Sequence, residues 1–168
     1  MNTWRCSTVV CALLTGMAIS SACAETITAE GVVYAAPCTL EAGLTQTIDL
    51  GRDKIQALNV AGSESRPQPF VIRFDKCPAS SSKVNIKFDG VADPGDATVF
   101  KNAGTAIGLG VRIYPKDQQT PVSPGATQSA RITNAQAELA FLATIYSSAG
   151  NAQAGSIDVT VPIVLSYE

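Results

Sequence analysis

Carboxylates and cysteines are the side chains of this chain with chemistry to offer, because histidine is absent altogether. Its absence removes Ser–His–Asp and Cys–His nucleophile pairs, histidine metal sites and imidazole acid–base work in one step. Paired carboxylates could still serve a glycosidase, one protonating the leaving oxygen while the other activates water or attacks carbon. Asp89, Asp93, Asp96, Asp117 and Glu138 fall in turns or on the polar side of alternating runs, where charge is ordinarily solvated. Asp93 and Asp96 flank Pro94-Gly95, which reads as a turn before it reads as a calcium loop. Gly108 and Gly110 lie inside an alternating run without the strand-to-helix junction of a phosphate loop, so a bulge or a close backbone approach is expected there. The one tryptophan is Trp4, near the N-terminus, so no aromatic sugar platform is in view. The expectation is a protein that is not an enzyme and takes no cofactor or metal; a secreted hydrolase ranks last among the readings.

The cysteines depend on where the chain goes. Arg5 gives a positive start, Thr8 to Ile19 a mainly apolar stretch, and Ala22-Cys23-Ala24 a small-x-small site, the pattern of a secretory signal peptide over residues 1–24. The stretch is too short and too interrupted by Ser, Thr and Gly to span a bilayer. Cleavage after Ala24 is favoured over Ala22, which would leave Cys23 as the new N-terminus. Ser20 weakens a lipoprotein reading of Cys23. Cys6, Cys11 and Cys23 then leave with the signal, and Cys38 and Cys77 remain in an oxidising compartment. A disulfide is the default for such a pair, with a reduced, reactive pair as the alternative; the spacing is unlike a redox or zinc CxxC. A bond closing about 40 residues would contribute on the order of 4 kcal/mol by chain entropy. The net charge of −2 gives no basic surplus for nucleic acid or an anionic membrane.

The elements that must position these residues are strands. Phe70, Ile72 and Phe74 alternate with Val71, Arg73 and Asp75; Val84, Ile86 and Phe88 with lysines, Asn85 and Asp89; Ile107, Leu109, Val111 and Ile113 with Gly108, Gly110 and Arg112; and Leu139, Phe141, Ala143 and Ile145 with smaller or polar partners. Turn-forming clusters separate them at residues 61–67, 78–82, 92–96, 123–125 and 147–155. Short strands with one apolar face describe an antiparallel two-sheet sandwich in one domain, with room for a helical turn within residues 52–60. Two further alternating segments are harder to place. Ile157, Val159, Val161, Ile163, Leu165 and Tyr167 share one face of a final strand over residues 157–167, which has nothing after it to pair with but Glu168. Ile27, Ala29, Gly31 and Val33 share one face of a segment directly after the signal. Pro162 removes a donor from the last strand, which suits an edge.

In order along the chain, residues 26–33 (TITAEGVV), 36–40 (APCTL), 48–51 (IDLG), 74–78 (FDKCP), 88–93 (FDGVAD), 104–113 (GTAIGLGVRI), 155–157 (GSI) and 165–168 (LSYE) resemble the chaperone–usher pilins, specifically the type 1 fimbrial minor and adaptor subunits. The resemblance spans nearly the whole exported chain. It implies an incomplete immunoglobulin-like β-sandwich of six strands with one disulfide, Cys38–Cys77, whose seventh strand is supplied in trans. It divides the chain into a signal over residues 1–24, a donor-strand extension over 25–35 and a pilin domain over 36–168. It implies export through the periplasm to a cell-surface fimbrium, and as partners a periplasmic chaperone, an outer-membrane usher and neighbouring pilin subunits, with no nucleic acid. The donor residues would be Glu25, Ile27, Ala29, Gly31 and Val33. The acceptor groove and chaperone-docking residues would be Ile157, Val159, Val161, Ile163, Leu165 and Tyr167. Ala29 is smaller than such an arm would ordinarily present, and Glu25 is charged where an apolar residue would help. The extension before Gly31 is short, as in tip adaptors, and the expected function is a structural subunit of an adhesive pilus, polymerising by donor-strand exchange. The alternatives are a major shaft pilin and a self-complete secreted β-sandwich that binds a ligand, in which residues 25–34 are an ordinary first strand.

Overall fold

Phe141 meets ring partners from both layers of the molecule: it stacks on Phe70 (centroids 5.3 Å apart, planes at 25°) and takes Phe88 edge-on at 5.3 Å and 75°. The computed structural model describes residues 37–43 and 45–168. Among them, nine strands and a 3-10 turn over Ile55–Leu58 follow in chain order: β1 Thr39–Leu40, β2 Gln68–Asp75, β3 Lys83–Phe88, β4 Ala92–Asp93, β5 Asp96–Lys101, β6 Leu109–Pro115, β7 Thr127–Arg131, β8 Ala137–Ser147 and β9 Ile163–Tyr167. They form two antiparallel sheets, one in the order β1-β2-β8-β6-β5-β4 and one in the order β7-β3-β9. The all-β sandwich is thus as expected. Nine strands stand where six were expected; two of them, β1 and β4, are two-residue ladders, and seven longer strands remain.

Period-two patterning locates the core. Phe70, Ile72 and Phe74 of β2, Val84, Ile86 and Phe88 of β3, Val111 and Ile113 of β6, and Phe141 and Ala143 of β8 are all buried between the sheets. Val84 and Ile86 reach zero exposure. Ile107 departs from its run: it lies ahead of β6 and is 58 % exposed, because Gly108, at φ +74°, turns the chain and breaks the alternation. At Gly110 the backbone approach is close, since a Cβ there would run into Val99 and the Phe100 carbonyl.

Cys38 and Cys77 are both buried and disulfide-bonded. They tie the chain entering β1 to the chain leaving β2, next to the pairs Thr39↔Asp75 and Leu40↔Phe74. No helix among the described residues is long and apolar enough to cross a membrane.

The final strand is shorter than its alternation suggested. Only Ile163–Tyr167 forms a ladder. Residues 157–162 keep the same in-and-out pattern, every odd residue half-buried and every even one exposed, but have no strand beside them among the described residues. Alternation reports one-sided burial of an extended chain, and hydrogen bonding is a separate condition.

Candidate functional site

Among the described residues, β9 has one strand neighbour, β3, in the register Val84↔Tyr167 to Phe88↔Ile163. Just past its end, Lys83 and Glu168 exchange both main-chain hydrogen bonds, at 3.0 and 3.1 Å. In an antiparallel ladder such bonded pairs recur every second residue. Val164, Ser166 and Glu168 therefore turn their main-chain groups towards β3, and Ile163, Leu165 and Tyr167 turn theirs to the open side. Pro162 belongs to the first set, because its carbonyl accepts the Asp89 N–H at 2.8 Å. The donor that proline lacks is thus missing on the β3 side. Pro162 therefore takes nothing from the open side of this edge strand, where the N–H groups of Ile163, Leu165 and Tyr167 lie.

Ile163 and Leu165 also face an apolar cleft of about 1590 Å³. Ile157, Val159, Val161, Ile163 and Leu165 form one wall, and Phe70, Ile72, Val111, Ile113 and Ile145 contribute to the floor. The opposite wall comes from residues 45–53, where Ile48 and Leu50 are half-buried between exposed Thr47 and Asp49. Residues 45–53 make no main-chain to main-chain hydrogen bond with other described residues; Gln46 Nε2 donates to the Val71 carbonyl at 3.3 Å, and Asp49 accepts the Gly51 N–H at 2.8 Å. Two segments whose main-chain groups are without main-chain partners on one side among the described residues thus border one apolar trough. Of the sequence-expected acceptor residues, five line the cleft. Tyr167 does not; it sits opposite Val84, packed against the main core, where burial raises its phenol pKa. Next to it, the Glu168 side chain accepts from Asn85 Nδ2 at 2.8 Å and pairs with Lys83 Nζ at 3.1 Å, and these partners hold its carboxyl below the usual range. The expected donor residues Glu25, Ile27, Ala29, Gly31 and Val33 lie outside the described residues.

Residues 45–53 were not recognised as a wall from sequence; the signal was the Ile48-x-Leu50 alternation in an otherwise polar stretch. The polar cluster around Arg112 was also missed. Its guanidinium reaches Asp96 Oδ2 at 2.7 Å and Glu64 Oε1 at 3.2 Å and lies over the Tyr146 ring, with the side chain 13 % exposed. Of the carboxylates weighed for acid–base work, Asp89, Asp93, Asp96 and Glu138 are otherwise engaged. Asp89 pairs with Lys87 at 3.1 Å, Glu138 with Arg73 at 3.0 Å, and Asp93 accepts the Gly95 N–H at 2.9 Å within its turn. No group of three or more His, Cys, Asp or Glu suited to a metal forms among the described residues.

An open β edge over an apolar trough is a site for adding a strand, with main-chain bonds for affinity and alternate side chains for fit. The family model for fimbrial protein matches residues 27–168. Long polar fimbria protein A of Salmonella typhimurium is 29 % identical over 148 residues, covering 85 % of this chain and 83 % of that one. Protein FimG of Escherichia coli K12 is 28 % identical over 144 residues, 84 % of each. A chain from a chaperone–usher pilus, solved to account for rod uncoiling, superposes with a TM-score of 0.67 at 20 % identity, over 86 % of this chain and 95 % of that one, so its likeness is one of fold. With the sandwich and the disulfide in place, the chain belongs to the fimbrial protein family and is a structural subunit of a cell-surface fimbrium.

Proposed function

We propose that this subunit polymerises by donor-strand exchange and serves as a minor, adaptor-type pilin. The observation that carries the reading is the free edge of Ile163, Leu165 and Tyr167 beside the cleft. In this reading a periplasmic chaperone first supplies a strand to the trough. At the outer-membrane usher, the N-terminal extension of the next subunit replaces it. This chain's own extension, residues 25–35, does the same for a neighbour, with Glu25, Ile27, Ala29, Gly31 and Val33 facing that neighbour's groove. Burying Ile27 and Val33 contributes roughly 1.5–3 kcal/mol each, and each added strand hydrogen bond about 0.5–1.5 kcal/mol. Gly31 suits a narrow pocket, whereas Ala29 and Glu25 make a weaker arm or one matched to an unusual groove. Tyr167 and the Glu168 end of the chain help seat the chaperone. The short stretch between the Ala24 cleavage site and Gly31 favours an adaptor. A shaft subunit is the second reading, supported by the fold likeness to a pilus studied for its rod. A self-complete sandwich is disfavoured by the open trough.

The test is expression of the exported chain in a periplasm with and without a cognate chaperone. Aggregation or degradation alone, and recovery of a one-to-one complex with the chaperone, is the expected result. A stable monomer without chaperone would overturn the reading.

A further inference from the structure

The wall that carries Ile157 and Val159 is held by side chains from the opposite sheet. Asn102, one residue past β5, uses its full hydrogen-bonding capacity there. Its Oδ1 accepts the Gly104 N–H at 2.9 Å and the Asp158 N–H at 2.8 Å, and its Nδ2 donates to the carbonyls of Ala106 at 3.0 Å and Ser156 at 3.2 Å. Beside it, Thr105 and Ser156 form a reciprocal pair. The Thr105 N–H donates to Ser156 Oγ at 3.0 Å, the Ser156 N–H donates to Thr105 Oγ1 at 2.9 Å, and the two hydroxyls meet at 3.1 Å. Main-chain bonds from Ala103 to the Asp158 carbonyl and from Ala106 to the Ser156 carbonyl complete the contact, at 2.8 and 3.0 Å. The segments approach so closely that a Cβ on Gly104 would run into the Ser156 carbonyl and one on Gly155 into the Ala106 nitrogen.

The next anchor of the wall is Pro162, bonded to Asp89 beside β3 in the second sheet. Between them, Val159, Thr160 and Val161 make no main-chain hydrogen bond with other described residues. The wall therefore crosses from one sheet to the other, pinned at two points, above an apolar trough. Apolar walls gain by collapsing together, at about 25 cal/mol per Å² removed from water. A span held only at Pro162 would be free to fold inward.

We propose that Asn102, with the Thr105–Ser156 pair, is a positioning residue for strand addition: it pins Ser156–Asp158 to the β5–β6 loop and so keeps the cleft open to an extended segment of a second pilin chain. This rests on the donor-strand reading above. Asn102 does not line the cleft, so its effect is exerted through the wall. The occupant is an apolar-alternating strand such as residues 27–33, since the free wall offers main-chain groups and aliphatic side chains.

The test measures uptake of a labelled synthetic peptide of residues 25–34 by the exported chain, refolded dilute and cold, for wild type, Asn102→Ala, Thr105→Val and Thr105→Ser. Melting of each strand-filled complex is recorded alongside. Slower uptake by roughly tenfold for Asn102→Ala and Thr105→Val, on the scale of one or two lost hydrogen bonds, is expected. Thr105→Ser should recover the wild-type rate, and the filled complexes should melt within a few degrees of one another. Equal uptake by all variants overturns the positioning role, as does slowing matched by an equal loss of stability in the filled complex. Failure of the wild type itself to take up this peptide or a chaperone-derived strand instead overturns the donor-strand reading. If Asn102→Ala does not refold, the Thr105 pair of variants decides the matter.

Discussion

The main-chain N–H of Asp89 donates to the carbonyl of Pro162 at 2.8 Å, and this bond sets the sense of the last strand. It places Pro162, with Val164, Ser166 and Glu168, in the set facing β3. Ile163 and Leu165 then present their side chains to the cleft, and both, with Tyr167, turn their main-chain groups to the open edge. A proline at position 163 or 165 would have removed a donor from that edge; at 162 it does not.

Shortening the wall should weaken strand addition without dissolving the fold. Leu165 lines the cleft and is half-buried in the chain alone. Leu165→Ala is expected to lower the stability of a strand-filled complex by about 2–3 kcal/mol, the lower range for a leucine truncated within a core. Denaturant melts of wild-type and variant complexes measure it. An unchanged complex would mean that Leu165 does not contact the added strand.

Asp96 should give the chain an acid limit. Hydrogen bonds from the Thr98 hydroxyl and N–H, and then the Arg112 charge, hold its carboxyl below the ordinary 3.8 despite partial burial. A lowered folded-state pKa means that the ionised form favours the folded chain. That contribution is full above about pH 4 and fades as the pH falls through the lowered value. Asp96→Asn is expected to flatten the acid limb of a thermal-stability profile and to lower the melting temperature near neutrality. It leaves Arg112, 13 % exposed, with Glu64 as its remaining carboxylate partner. A variant profile parallel to wild type below pH 4 would exclude Asp96 as the source.

Removing the Cys38–Cys77 bond should cost on the order of 4 kcal/mol by loop entropy, given the separation of 39 residues. The paired variant Cys38→Ser/Cys77→Ser is therefore expected to be recovered poorly even with a chaperone. Yield from periplasmic extracts, with and without reductant, reports it. Wild-type yield from the paired variant would contradict a structural role for the bond.

Much of this was legible in the residues themselves. Period-two patterning located β2, β3, β6 and β8 and their buried faces, because each has one face on the core and the other in solvent. The apolar wall was legible for the same reason, down to Ile157. What alternation could not convey is partnership. It does not separate Ile163–Tyr167, which is laddered to β3, from residues 157–162, which are held near their start by Asn102, a residue 54 positions before Ser156, and at Pro162 by Asp89. The Arg112 cluster was hidden likewise, since Glu64 lies 48 residues away and Asp96 16 residues away. Neither spacing has a periodic signature.

The central claim is that the last strand keeps an unpaired edge which another strand fills. Residue-resolved amide exchange tests it directly, on the exported chain refolded dilute and cold, before and after a peptide of residues 25–34 or a chaperone strand is added. The amides of Val164, Ser166 and Glu168 should be protected throughout. Those of Ile163, Leu165 and Tyr167 should exchange freely at first and become protected only when the strand arrives. Protection of Ile163, Leu165 and Tyr167 in the chain alone, unchanged by either strand, would contradict the account.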